Sequence, residues 1–179
     1  MPKSTAAEFM RFTPSDPVAL DRNIHRTRAK LLAAESIGDS GAVVDHTADL
    51  AAMLTTARRE LEALELLRRH ESLAASIATG EHVAWFWNAL ATALQYIGER
   101  EAAEPYFFKA VEVARKGCWR RIEAMALHHW GRSLVEQGRL AEAESRISEA
   151  LSIREELNER QEPSRRALAA VARLRAGNA

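Results

Sequence analysis

A self-similarity at an offset of forty residues leaves this chain little choice of architecture. Trp87, Leu90, Ala91, Leu94, Gly98, Ala103, Phe107, Ala110 and Val113 recur as Leu127, Trp130, Gly131, Leu134, Gly138, Ala143, Ile147, Ala150 and Ile153. Within each copy the apolar positions step by three or four residues on either side of a glycine, which is the pattern of two helices joined by a turn. A helix pair of this kind cannot bury its apolar faces alone, so copies at a fixed period must stack on one another to make a core.

The spacing Trp-x2-Leu-Ala-x2-Leu, a glycine four residues later and then Ala-x3-Phe resembles the tetratricopeptide repeat family. The resemblance implies an all-α fold, a right-handed α-α superhelix of about eight antiparallel helices. It also implies that the first helices of successive units line a concave groove holding a peptide or a partner's helix. Ala91 or Gly131, with Ala103 or Ala143, lets the two helices of a unit approach closely, and Gly98 or Gly138 ends the first helix in a left-handed cap. The period of forty residues exceeds the family's usual length of about thirty-four. The extra length falls in Ala114 to Glu123, which predicts longer helices or a longer turn between units.

In chain order, residues 1–15 are polar and aperiodic and predict a flexible tail. Residues 16–179 then form one domain: a half repeat at 16–38, opened by Asp16-Pro17 as N-cap and first helical residue, repeats at 42–78, 82–117 and 121–158, and a capping helix at 162–177. The first repeat matches through Leu50, Ala51, Leu54, Ala63 and Leu67. It departs where Arg58 replaces the turn glycine and His70 replaces the small Ala110, so a different turn geometry is expected at Arg58 to Glu60. Leu168, Val171 and Leu174 give the last helix one apolar stripe, as a solenoid end requires.

Composition narrows the function classes. With 25 basic and 25 acidic residues the net charge is zero and the basic residues are scattered among acids, which argues against nucleic-acid and membrane partners. The single cysteine, Cys118, and the lack of an apolar leader or spanning run lead to the expectation of a cytoplasmic protein. His128 and His129 near Cys118 and His82 lack metal-ligand spacing, so no metal site is expected. Neither a phosphate-binding glycine loop nor a nucleophile elbow is present, so neither catalysis nor a cofactor is expected.

Positions on the first helices opposite the apolar stripe define the candidate site. They are Asp45 and Asp49 in the first unit, Trp85, Asn88, Thr92 and Tyr96 in the second, and Met125, His128, His129, Arg132 and Glu136 in the third, with Arg165 beyond. The surface so defined is acidic at one end, aromatic in the middle and basic toward Arg132 and Arg165, which predicts a ligand carrying an acidic group. Protonation of His128 and His129 is expected to strengthen binding as pH falls toward 6. The sequence therefore reads as a protein-interaction scaffold or adaptor for a protein or peptide ligand. A self-associating regulatory subunit, such as a homodimer, is the alternative, and an enzyme a more distant one.

Overall fold

The computed structural model describes residues 8–177, and among them it contains eight α-helices and no strand. These are α1 (Pro17–Ile37), α2 (Ser40–Thr56), α3 (Glu60–Ser76), α4 (Glu81–Ile97), α5 (Arg100–Lys116), α6 (Arg120–Glu136), α7 (Leu140–Glu156) and α8 (Glu162–Gly177). The six helices α2 to α7 are each 17 residues long. The extra length of the repeat thus goes into both helices of each unit, not into a longer connection.

The turns repeat too. Left-handed backbone occurs at Gly38, Arg58, Gly98, Cys118, Gly138 and Asn158, positions that fall at multiples of twenty residues. At each, the amide of the following residue donates to a carbonyl five residues back, as in Arg59 to Leu54 at 2.9 Å, Glu99 to Leu94 at 2.9 Å and Arg139 to Leu134 at 3.0 Å. This is the closing bond of a Schellman cap. Arg58 therefore does not change the turn: it adopts the glycine geometry with φ of 63°. A side chain in that conformation costs about 1 kcal/mol, which the bonded turn must offset. Only the α3–α4 connection breaks the rhythm, passing through Ile77 in an extended conformation and Gly80 with φ of 165°.

The helices form two layers. α2, α4, α6 and α8 pack side by side as an inner layer, while α1, α3, α5 and α7 pack their backbones against inner neighbours and reach one another only through long polar side chains, as in Arg28 with Glu62 and Tyr106 with Glu71. Between the layers lie Leu50, Leu54 and Leu67, then Trp87, Leu90, Leu94 and Phe107, then Leu127, Leu134 and Ile147, all buried. A Cβ on Gly131 would stand 2.4 Å from Ile147 Cγ1 and 3.1 Å from the Ala143 carbonyl, so α6 and α7 meet at a distance that only glycine permits. The first unit solves the same packing problem differently. Thr47 occupies the position of Trp87 and His70 that of Ala110, and Thr47 Oγ1 lies 3.2 Å from His70 Nδ1, so a small and a large residue have changed places across the interface. At the far end Ala167 and Val171 of α8 are buried, with Leu168 and Leu174 half-buried beside them. Asp16 caps α1 as expected, accepting from the Ala19 amide at 2.9 Å.

The amino-terminal segment differs from expectation. Residues 1–7 of the expected tail lie outside the described residues. From Glu8 onward, however, the chain is tied to the inner layer: Phe9 is buried and the Arg11 side chain is 5% exposed.

Candidate functional site

The free side of the inner layer carries most of the residues singled out above. At the end formed by the starts of α2, α4 and α6, Gly41, Asp45, Glu81, His82, Trp85 and Ile122 line an open depression. The Trp85 indole N–H donates to Asp49 Oδ1 at 2.9 Å, which holds the ring between this depression and the next. Asp45, His46 and Asp49 bring potential ligand atoms within 4.8 Å of one another, but Asp49 is already engaged by Trp85 and no second feature marks a metal site.

In the middle, Trp85, Asn88, Ala89 and Thr92 of α4 face Ala52, Thr55 and Thr56 of α2 and Met125 and His129 of α6 across an apolar pocket of about 230 Å³. Phe12 forms its last wall. Asn88 is fully buried, and neither its amide nitrogen nor its amide oxygen has a hydrogen-bond partner. A buried unpaired amide is costly, on the order of 1 to 3 kcal/mol, and Gln95 carries a second one one turn further along α4 than Thr92. Thr92 Oγ1 donates to the Asn88 carbonyl at 2.8 Å and lies 3.2 Å from His129 Nδ1.

The remaining end is occupied by the chain itself. Arg11 Nε and Nη2 each donate to one oxygen of Glu136 at 3.0 Å, a two-pronged pair, and Nη1 donates to the Tyr96 carbonyl at 2.9 Å. The Glu136 side chain is fully buried and also accepts from Arg100 Nε at 2.8 Å. Burial alone would lower the pKa of the Arg11 guanidinium, but the hydrogen bond and charge of Glu136 outweigh it and raise that pKa. Arg132 is buried as well. Its Nη2 donates to the Tyr96 hydroxyl at 2.9 Å, its Nε to the Phe9 carbonyl at 3.3 Å, and its guanidinium lies 4.6 Å from the centre of the Phe12 ring. The Tyr96 hydroxyl also accepts from the Phe12 amide at 2.9 Å.

Asp45, Asp49, Trp85, Asn88, Thr92, Tyr96, Met125, His129, Arg132 and Glu136 therefore share one side of the inner layer. His128 and Arg165 stand apart. Arg154 Nη1 donates to Ser164 Oγ at 2.6 Å, and the same oxygen lies 3.2 Å from His128 Nδ1, so His128 belongs to the α6–α7–α8 contact. Arg165 is exposed and pairs with Glu155 at 3.0 Å. The expected strengthening of binding by imidazolium at pH 6 fails on physical grounds. Burial, reinforced by the positive charges of Arg132 and Arg154, lowers the His128 pKa to about 3 and holds that of His129 well below its ordinary value. Both rings stay neutral at pH 6.

Sequence reasoning missed Phe9, Arg11 and Phe12 altogether, together with Gln95, whose carbonyl takes Arg11 Nη2 at 3.2 Å. The available signal was the run Phe9-Met10-Arg11-Phe12, an apolar stretch inside an otherwise polar leader.

Comparison with known proteins bears on one of these repeats directly. Residues 124–163 match the family described as tetratricopeptide repeat. That segment is similar to a tetratricopeptide repeat. That match spans the helix pair α6–α7 and the turn leading into α8, the unit whose Leu127, Gly131, Gly138 and Ile147 gave the repeat pattern. The repeat architecture also extends over most of the chain. The crystal structure of BtubC (BKLC) from P. vanneervenii superimposes with a TM-score of 0.62 at 18% identity, covering 86% of this chain. The chain spans 63% of the length of that protein, and the likeness is one of fold. No curated protein matches the sequence. Among the described residues no helix is long and apolar enough to cross a membrane.

Proposed function

We propose that this protein is an interaction scaffold that holds an extended segment of a partner protein along the free side of α2, α4 and α6. The observation that carries this reading is that the surface already holds a peptide, residues 9–12 of the chain itself. It does so through both backbone and side chains: the Phe9 carbonyl, the Phe12 amide and the Arg11 guanidinium are all bonded to groups of α4 and α6. The unpaired amide of Asn88 in the adjoining pocket offers a donor and an acceptor of the kind that pair with a peptide backbone. Binding here needs no covalent chemistry: the stacked repeats fix the side chains, and the segment supplies the complement.

The end at Glu136 favours a basic over an acidic ligand group. Arg132, expected to receive a carboxylate, is wedged between the Tyr96 hydroxyl, the Phe9 carbonyl and the Phe12 ring, whereas the buried Glu136 carboxylate receives a guanidinium. The alternative of self-association would use the outer helices, where Leu32, Ile37, Leu61 and Phe108 are exposed.

A display library of random peptides, panned in parallel on the full-length chain and on its Arg11→Glu, Phe12→Ser variant, tests the scaffold reading. Hydrogen exchange should show the selected peptides protecting α4 and α6, and Met125→Arg should abolish their binding. Protection confined to α3, α5 or α7, or a selection that yields no binders to either protein, would refute it.

A further inference from the structure

We infer that residues 9–12 are a built-in competitor for this surface, and that the partner segment which displaces them presents an arginine followed directly by an aromatic side chain. The inference rests on the scaffold reading above and adds the chemistry of the ligand and the state of the resting protein.

The arginine requirement comes from the socket that Arg11 fills. Two of its donors meet the two oxygens of the Glu136 carboxylate at 3.0 Å, and the carbonyls of Tyr96 and Gln95 accept from the same guanidinium at 2.9 and 3.2 Å. Both carbonyls belong to the last turn of α4, where the helix dipole is negative, and that of Gln95 shares its oxygen between Arg11 and the Gly98 amide at 3.1 Å. A buried carboxylate beside a helix carboxyl end is a socket for a cation. The two-pronged geometry selects the planar fork of arginine over the single point charge of lysine. The next residue is selected by an aromatic slot: the Phe12 ring lies under the Arg132 guanidinium and meets the His129 ring edge-on at a centroid distance of 5.4 Å.

The same geometry explains how the segment can be displaced. A tethered segment competes at an effective concentration in the millimolar range, so a partner must make contacts that the tethered segment cannot. Those contacts lie just beyond Phe12. Phe12 remains 44% exposed and walls the pocket in which both amide atoms of Asn88 are unpaired. The chain cannot extend into that pocket, because after Phe12 it must turn through Pro14 to reach Asp16, the cap of α1. A partner segment is under no such constraint, and one that continues past its aromatic residue can pair with Asn88.

The test uses the full-length chain and a fluorescein-labelled peptide with the sequence of residues 8–15. Fluorescence polarisation should show the peptide binding an Arg11→Glu, Phe12→Ser double variant at least tenfold more tightly than the parent protein, whose own segment blocks the site. Replacing the peptide's arginine by glutamate should reduce binding to the variant by at least tenfold, and by lysine several-fold. Equal binding to parent and to a variant of unchanged helicity, or equal binding of the arginine and glutamate peptides, would overturn the inference. A second measurement needs no variant. Unlabelled peptide raised to about 10 mM, above the effective concentration of the tethered segment, should accelerate hydrogen exchange in residues 9–12 of the parent protein, and unaltered exchange there would overturn the built-in competitor. Library-selected peptides that protect α4 and α6 but lack an arginine–aromatic pair would leave the scaffold standing and remove only this inference.

Discussion

The inner helices α4 and α6 bury thirteen and twelve of their residues, while their outer partners α5 and α7 bury five and four. All four are 17 residues long and come from the same repeat, so the difference lies in what surrounds them. An outer helix such as α5 or α7 packs against its two inner neighbours, meets the next outer helix only through long polar side chains, and leaves the rest of its circumference to water. An inner helix has an outer layer behind it, inner neighbours on both sides, and in the case of α4 and α6 the segment from Phe9 to Phe12 across its remaining side. The contrast teaches that the polar positions of α4 and α6 are not a solvated face. Asn88, Gln95, His128, His129 and Arg132 are buried polar groups, whose hydrogen bonds or lack of them bear on stability.

Paired substitutions sharpen the contrast. Trp87→Ala, which empties a fully buried inner site, should cost about 3 to 5 kcal/mol in urea denaturation. A loss below 1 kcal/mol would mean that the inner layer relaxes as freely as the outer one.

Acid should act next, through the buried imidazole of His128. The unfolded chain takes up a proton near pH 6.5, whereas the folded ring does so only at about 3. The unfolded state therefore binds more protons below 6.5, so the stability is fully present above that pH and is lost as pH falls toward 3. By pH 5 the loss should be about 2 kcal/mol from this group alone. The unfolding free energy measured at pH 7, 6 and 5 checks it, and a His128→Asn variant should show a shallower slope. A flat profile in the parent protein would place the ring in water.

Gly131→Ala tests the closest inner–outer contact. The added methyl meets Ile147 and the Ala143 backbone, and the resulting overpacking should cost roughly 1 to 2 kcal/mol, read as a lower melting temperature. Stabilisation instead would show that α6 and α7 can separate without loss. Smallest of all, Leu61→Ala on the exposed side of α3 should stay within about 0.5 kcal/mol of the parent, and a larger drop would reveal a contact on the outer layer.

What could be read from the letters alone was the periodic part. Leu90, Leu94 and Phe107 with their counterparts specify helices, and Gly98 and Gly138 specify the turns, because helix formation and capping depend on residues within a few positions of one another. The same local logic placed Trp85, Asn88, Thr92 and Met125 on one side of their helices, where the structure gathers them into one pocket. Tertiary structure decided the rest. Arg58 adopts a glycine-like turn because the 2.9 Å bond from Arg59 to Leu54 closes it, and Thr47 with His70 fills the volume that Trp87 with Ala110 fills elsewhere. Neither exchange is visible one residue at a time. The docking of Arg11 on Glu136 spans 125 residues of sequence, so no periodicity could announce it. The neutrality of His129 follows from burial beneath neighbours contributed by other parts of the chain. Local pattern sets which way a side chain points, and only the assembled layers set what it meets there and whether water can reach it.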